Sequence, residues 1–178
     1  MIVELNKESD NLNAEMIIYA IAYKDSGAPA YAKDGLAAIY RLIDSLGLDS
    51  EDYHIADGSG VSHYNLITAE LLLEVLKYIY YKKENLFDSF YNSLSVAGID
   101  GTLERRMRNT SAKDNVHAKT GTLKGVSSLS GYVTAKNGTG LRKTPSVARS
   151  LAPVRMGLTG FSVANSEKGK YSIGIGKK

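Results

Sequence analysis

Cysteine is missing from all 178 residues, which excludes disulfide frameworks, thiolate zinc sites and cysteine nucleophiles. Long apolar runs are missing as well. The longest, Met16 to Tyr23, is far short of the ~20 residues that a bilayer span needs. The opening stretch, Met1-Ile-Val-Glu-Leu-Asn-Lys-Glu8, has neither a basic n-region nor an apolar h-region, so no signal peptide is expected in this chain. Proline is scarce, and two of its three copies, Pro145 and Pro153, fall late. Acidic residues are scarce in that same late region. From Thr139 to Lys178, Glu167 is the one acid among eight Lys and Arg. That segment therefore carries +7, and because the whole chain carries +3, residues 1–138 carry −4.

What is present is ordinary for one globular domain: 43% apolar and 23% charged residues. A chain of this length can bury about 70% of its unfolded surface, enough for a core without covalent staples. A basic tail suits nucleic acid or an anionic surface. It carries no recognised nucleic-acid-binding motif and no interleaved aromatics, so a solvated, poorly ordered end is the expectation and no nucleic-acid partner is assigned.

Apolar spacing predicts a helix over 12–24, with Leu12, Met16 and Ala20 beside Ile17 and Ile21. Gly27 and Pro29 break it. A second amphipathic helix is predicted over 31–46, with Leu36, Ile39, Ile43 and Leu46 on its stripe and Gly47 as the stop. Tyr53 to Ala56 reads as a short strand. Thr68 can cap a helix over 69–82, and Leu86, Phe87, Phe90 and Leu94 suggest another, ended by Gly98. Strands are predicted at about 115–122 and 126–136, with Asn137-Gly138 as a type I′ turn signal. No element is legible between Thr139 and Lys170, and Tyr171 to Ile175 is a weak strand. Helices first and antiparallel strands last make an α+β fold.

Two short motifs can carry chemistry. Lys7-Glu-Ser9-Asp10-Asn11 precedes the first predicted helix, and His117-Ala-Lys119-Thr120-Gly121-Thr122 ends the first long strand. Taken alone, Ser9-Asp10-Asn11 is helix-capping chemistry and Lys119-Thr120-Gly121 is a strand entering a turn. Together they form the Ser-x-Asn and Lys-Thr-Gly pair that accompanies a nucleophilic Ser-x-x-Lys in penicillin-binding proteins and serine β-lactamases. A serine hydroxyl both donates and accepts, so it can pass a proton between a lysine and a leaving nitrogen. An asparagine amide can hold a peptide carbonyl. An ammonium beside two threonine hydroxyls suits a terminal carboxylate, and a glycine leaves the strand edge open for an extended peptide.

With Asp57-Gly-Ser-Gly-Val-Ser-His-Tyr-Asn65, Asp100-Gly-Thr-Leu-Glu-Arg-Arg106 and Lys119-Thr-Gly-Thr-Leu-Lys-Gly-Val126 following in order, the chain resembles the class C low-molecular-mass penicillin-binding proteins. These are D-alanyl-D-alanine carboxypeptidases/endopeptidases, with helices packed on an antiparallel sheet. The resemblance covers about residues 1–138. It implies that Ser9 is the proton-relay hydroxyl, that Asn11 clamps the substrate amide and that Lys119 supplies a positive field. It also implies that Thr120 and Thr122 bind the substrate's C-terminal carboxylate beside Gly121. The Thr122 N–H would form half of an oxyanion hole, where one donor is worth ~3–4 kcal/mol. Lys7 and Asp10 support the Ser9 loop. Arg106 either faces the pocket or serves a structural ion pair, and Asp57–Asn65 reads as a structural buttress before a catalytic segment. The implied partners are a peptidoglycan stem peptide ending in D-Ala-D-Ala and β-lactams, in the periplasm or cell envelope. No metal or organic cofactor is implied; three scattered histidines without cysteine make no metal spacing.

Two departures stand out. No serine is followed three residues on by lysine; the nearest approach is Thr110-x-x-Lys113. The chain therefore reads as the C-terminal part of a longer enzyme, inactive in acyl-serine chemistry by itself because such groups act as a unit. A non-catalytic chain that binds peptide or β-lactam is the alternative. The apolar strand and helix that close the family's sheet are also absent after Gly138. Residues 139–178 thus read as a divergent basic tail, disordered or produced by a shifted reading frame.

Overall fold

The computed structural model describes residues 1–137, 140–151, 161–164 and 170–173, with side chains as far as Thr134. Five α-helices come first: α1 (Ile2–Glu8), α2 (Asn11–Ser26), α3 (Ala32–Ser45), α4 (Ala69–Lys82) and α5 (Glu84–Ser93). The strands follow: β1 (Ser95–Val96), β2 (Val116–Leu123), β3 (Val126–Asn137), β4 (Gly140–Leu151), β5 (Phe161–Ala164) and β6 (Lys170–Ile173). The first four form an antiparallel sheet in the order β1-β2-β3-β4, and β5 pairs with β6. The α+β layout is the one expected. No helix among the described residues is long and apolar enough to cross a membrane.

The sheet is covered on both faces because β3 alternates. Tyr132 points to the helices and is buried with Leu76, Phe87, Tyr91 and Leu94, its hydroxyl donating to the Leu76 carbonyl at 2.9 Å. Leu129, of opposite parity, packs with Leu103 and Ala118 on the other face. A third cluster joins Ile43 of α3, Tyr53 and Leu71 of α4. The α4 start is as predicted, with Thr68 Oγ1 accepting from the Leu71 N–H at 3.1 Å.

Four expectations need correction. The seven-residue α1 was not foreseen, since it has no side-chain cap and begins with two β-branched residues. The buried face of α2 is Ile18 and Ala22, whereas Leu12 and Met16 are exposed. This helix is apolar on several sides, so periodicity alone does not choose its face. Instead α3 chooses it: Gly35 lets Ile18 sit where any Cβ would run into the Ile18 carbonyl. Tyr53–Ala56 makes only one bridge, His54 to Leu66, because Asp57 and Asn65 capture the neighbouring amides. Finally, β4 and β5 occupy the segment where no element was legible. Pro145 lies opposite Tyr132 on β4, an edge strand, which is where a sheet tolerates proline. Of the turn expected at Asn137-Gly138, Asn137 ends β3 opposite Gly140 and Gly138 lies outside the described residues.

Candidate active site

α1 ends at Ser9, whose backbone is left-handed (φ 59°, ψ 46°). The reversal turns the chain sharply into α2, which Asp10 caps by accepting from the Asn13 N–H at 2.7 Å. Asn11 is therefore the first residue of α2, with an exposed side chain. The capping reading of the motif is thus correct for Asp10, and capping is what presents Ser9 and Asn11 on either side of it.

Lys119, 110 residues away, reaches this turn from β2. Its ammonium donates to Ser9 Oγ at 2.7 Å and to the Thr120 carbonyl at 2.8 Å. Burial, with no carboxylate to oppose it, holds the Lys119 ammonium below the ordinary lysine value.

β1 is only two residues long and pairs with Ala118 and His117. Among the described residues, Lys119 to Leu123 therefore have a strand partner on the β3 side alone. Their other edge is open. Gly121 lies against Ser128 of β3, and a Cβ there would run into Ser128 Oγ. Thr122 is exposed at the end of this edge.

The two motifs are bolted together by a turn that sequence reasoning left without a role. Lys7 forms an ion pair with Asp100, whose other carboxylate oxygen accepts from the Val96 N–H at 2.8 Å. Gly101 (φ +54°) passes so close to α1 that a Cβ would lie 2.5 Å from Ser95 Oγ and 2.8 Å from the Lys7 carbonyl. Thr102 then accepts from Thr120 Oγ1 at 2.9 Å. In the sequence this turn belongs to the Asp100–Arg106 segment that carries part of the family resemblance, but nothing local gives Asp100, Gly101 or Thr102 a role. Arg106 is half-buried and makes no ion pair among the described residues.

The Asp57–Asn65 loop is tied to α2 rather than to β2. Glu15 accepts from Ser59 N–H at 2.9 Å and Gly58 N–H at 3.3 Å. Asp57 accepts from Gly60, Ser62 and Asn65 Nδ2 at 2.7–2.9 Å.

Both clamps are acid-sensitive. Burial pushes the Asp57 and Asp100 carboxyls up, but hydrogen bonds from Asn65 and loop amides (Asp57), and from Lys7 and Val96 (Asp100), outweigh it. Each folded-state value thus lies below the unfolded one. Their stabilisation is fully present above about pH 4, the unfolded carboxylate range, and is lost as pH falls through the folded values. Urea midpoints of Asp57→Asn and Asp100→Asn, followed from pH 7 to pH 3, are expected to fall less steeply than those of the parent chain.

The chain that carries this serine, asparagine and lysine arrangement is similar to known proteins. The profile of the D-Ala-D-Ala carboxypeptidase 3 (S13) family matches residues 1–142. The chain belongs to this family. It is 37% identical over 143 residues to a D-alanyl-D-alanine carboxypeptidase of Actinomadura sp. (strain R39), covering 78% of this chain and 26% of that protein. It is 33% identical over 140 residues to the D-alanyl-D-alanine carboxypeptidase DacB of Haemophilus influenzae, covering 78% of this chain and 29% of the relative. Penicillin binding protein 4 (dacB) from Haemophilus influenzae superposes with a TM-score of 0.74 at 29% identity, covering 96% of this chain and 35% of that one. Its complex with a β-lactam superposes with a TM-score of 0.68 at 33% identity, covering 75% and 31%. The S13 chain described here thus spans between a quarter and about a third of the length of these relatives.

Proposed function

We propose that this chain carries the Ser-x-Asn and Lys-Thr-Gly portion of a serine-type D-Ala-D-Ala carboxypeptidase/endopeptidase of peptidoglycan metabolism, working in the periplasm or cell envelope. The observation that supports the reading is the 2.7 Å contact of Lys119 Nζ with Ser9 Oγ between segments 110 residues apart. In this scheme the stem peptide lies along the open edge of β2, its C-terminal carboxylate toward Lys119, Thr120 and Thr122. Asn11 holds a peptide carbonyl. A nucleophilic serine attacks the penultimate D-Ala carbonyl, and the oxyanion is met by the Thr122 N–H. The proton that the attacking serine gives up to its base passes by way of Ser9, which Lys119 holds, to the departing D-alanine nitrogen. Water then hydrolyses the acyl-serine. β-Lactams enter the same path by acylating that serine.

The nucleophile is not among these residues, since no Ser-x-x-Lys occurs in the 178. The same fact favours the second reading, a chain that holds peptide or β-lactam without turnover. Residues 1–138 form the family unit in this reading. The basic segment 139–178 differs in composition, although its β4 supplies the sheet edge.

Fluorescent penicillin separates the two contributions. The 178-residue chain is expected to remain unlabelled after denaturing electrophoresis, while a polypeptide that also contains Ser-x-x-Lys is labelled. A covalent adduct on this chain overturns the assignment of the nucleophile elsewhere.

A further inference from the structure

α2 lacks the polar side that a helix at a protein surface ordinarily has. Of residues 11–23, Glu15 alone is charged, and its carboxylate accepts from the Ser59 and Gly58 amides of the Asp57–Asn65 loop. One side of the helix is buried, with Ile18 seated on Gly35 of α3 and Ala22 one turn further on. The other side is apolar too, and it is open. Leu12 is 71% exposed, Met16 51%, Tyr19 42% and Tyr23 64%. Their spacing, i, i+4, i+7 and i+11, puts these four side chains on one stripe that runs about 16 Å along the helix.

A helix that is apolar all round is normally enclosed on every side. A continuous apolar face left in water marks a place where another surface packs. Tyrosine and methionine are the residue types that collect at the centre of such interfaces, and charges are depleted there. The position of the stripe says what covers it. It starts at Leu12, next to Asn11 and three residues after Ser9, the hydroxyl that Lys119 holds. A nucleophile delivered to Ser9 must therefore arrive against the head of α2. No Ser-x-x-Lys occurs in these 178 residues, and the chain spans only 26% and 29% of two relatives, which leaves ample polypeptide to form a matching surface.

We propose that the Leu12–Met16–Tyr19–Tyr23 stripe of α2 is the docking face for the polypeptide that carries Ser-x-x-Lys, and that burying the stripe is what sets the nucleophilic serine beside Ser9. This rests on the reading that a Ser-x-x-Lys segment completes the site, and it adds the surface that receives it.

The chain has no cysteine, so a single thiol on the stripe reports its cover without background. Met16→Cys is compared with Tyr81→Cys on α4, since both parent side chains are 51% exposed. The partner used is the Ser-x-x-Lys-containing part of the Haemophilus influenzae DacB relative that lies outside its 140-residue match, made as a second polypeptide. In the 178-residue chain alone, both thiols should react with a maleimide at similar rates. With the second polypeptide present, Met16→Cys should slow about tenfold, Tyr81→Cys should stay within about twofold, and fluorescent penicillin should label the second polypeptide. Combining Leu12→Ser with Met16→Ser should cut that labelling about tenfold without lowering the melting temperature, because both side chains are exposed in the chain alone. Labelling that leaves Met16→Cys as reactive as before overturns the docking face while the reading of the site stands. Met16→Cys that slows with rising chain concentration, in the absence of the second polypeptide, makes a second copy the occupant and also overturns it. Without labelling, whether or not the thiol is protected, no serine is set beside Ser9, and the reading of the site and the inference fall together.

Discussion

Lys119→Ala is expected to erase the chain's preference for a peptide ending in a free carboxylate over its amide, an effect of about 10- to 100-fold in relative affinity. Among the described residues, the Lys119 ammonium is the cation that joins the two motifs, donating at once to Ser9 Oγ and to the Thr120 carbonyl. In the proposed scheme, removing it takes away the charge that would draw the carboxylate and the donor to Ser9 Oγ. Folding is expected to survive, because burial already opposes charge on this side chain, so its loss removes a desolvation cost. Paired titrations with acid and amide, together with a thermal melt, check both halves. An undiminished preference for the acid would show that another group holds the carboxylate.

The second large effect concerns stability. Tyr132→Ala should destabilise the chain by about 3–5 kcal/mol, the usual cost of truncating a buried aromatic. Tyr132 is 1% exposed, packs edge-on against Phe87 at 5.2 Å and Phe90 at 6.3 Å, and donates to the Leu76 carbonyl. One residue thus joins β3 to α4 and α5. Tyr132→Phe separates the contributions: it keeps the ring contacts, loses the hydroxyl's bond and should cost about 1–2 kcal/mol. Urea denaturation of the two variants measures the difference. Equal losses would mean that the hydrogen bond, and not the packing, dominates.

The stability of the sheet bears on the site because β2 is held between the two clusters that β3 organises. Tyr132 lies opposite His117, two residues before Lys119, and Leu129 lies opposite Thr120. A loosened β3 would let the register of β2 drift. A shift of one residue would carry Lys119 to the wrong face of the sheet. Tyr132→Ala should therefore weaken binding together with stability, whereas Lys119→Ala should weaken binding and leave the melt unchanged.

Much of this molecule was legible in advance where local chemistry decides structure. Thr68 begins α4 because a threonine oxygen can take the Leu71 amide, and the 126–136 alternation became β3 because one parity must face the helices. Legibility failed where the answer depended on a distant neighbour. α1 has little helix propensity of its own; Asn6 donates to Ser93 Oγ at 2.8 Å and Lys7 pairs with Asp100, contacts spanning 87 and 93 positions. β4 has no clear alternation and contains a proline, yet it pairs with β3 over its whole length.

The family, the α+β order of elements and the identity of both motifs can be read from residue types and their spacing, which are properties of the chain alone. So can the absence of Ser-x-x-Lys. That Ser9 and Lys119 meet, that α2 buries Ile18 and Ala22, and that Thr102 joins Thr120 to Ser95 emerge from the packed fold. Those outcomes depend on a left-handed turn, the close α2–α3 approach at Gly35 and the wedge at Gly101. Each is set by atoms far apart in sequence, whose contacts are made only when the sheet and helices pack together.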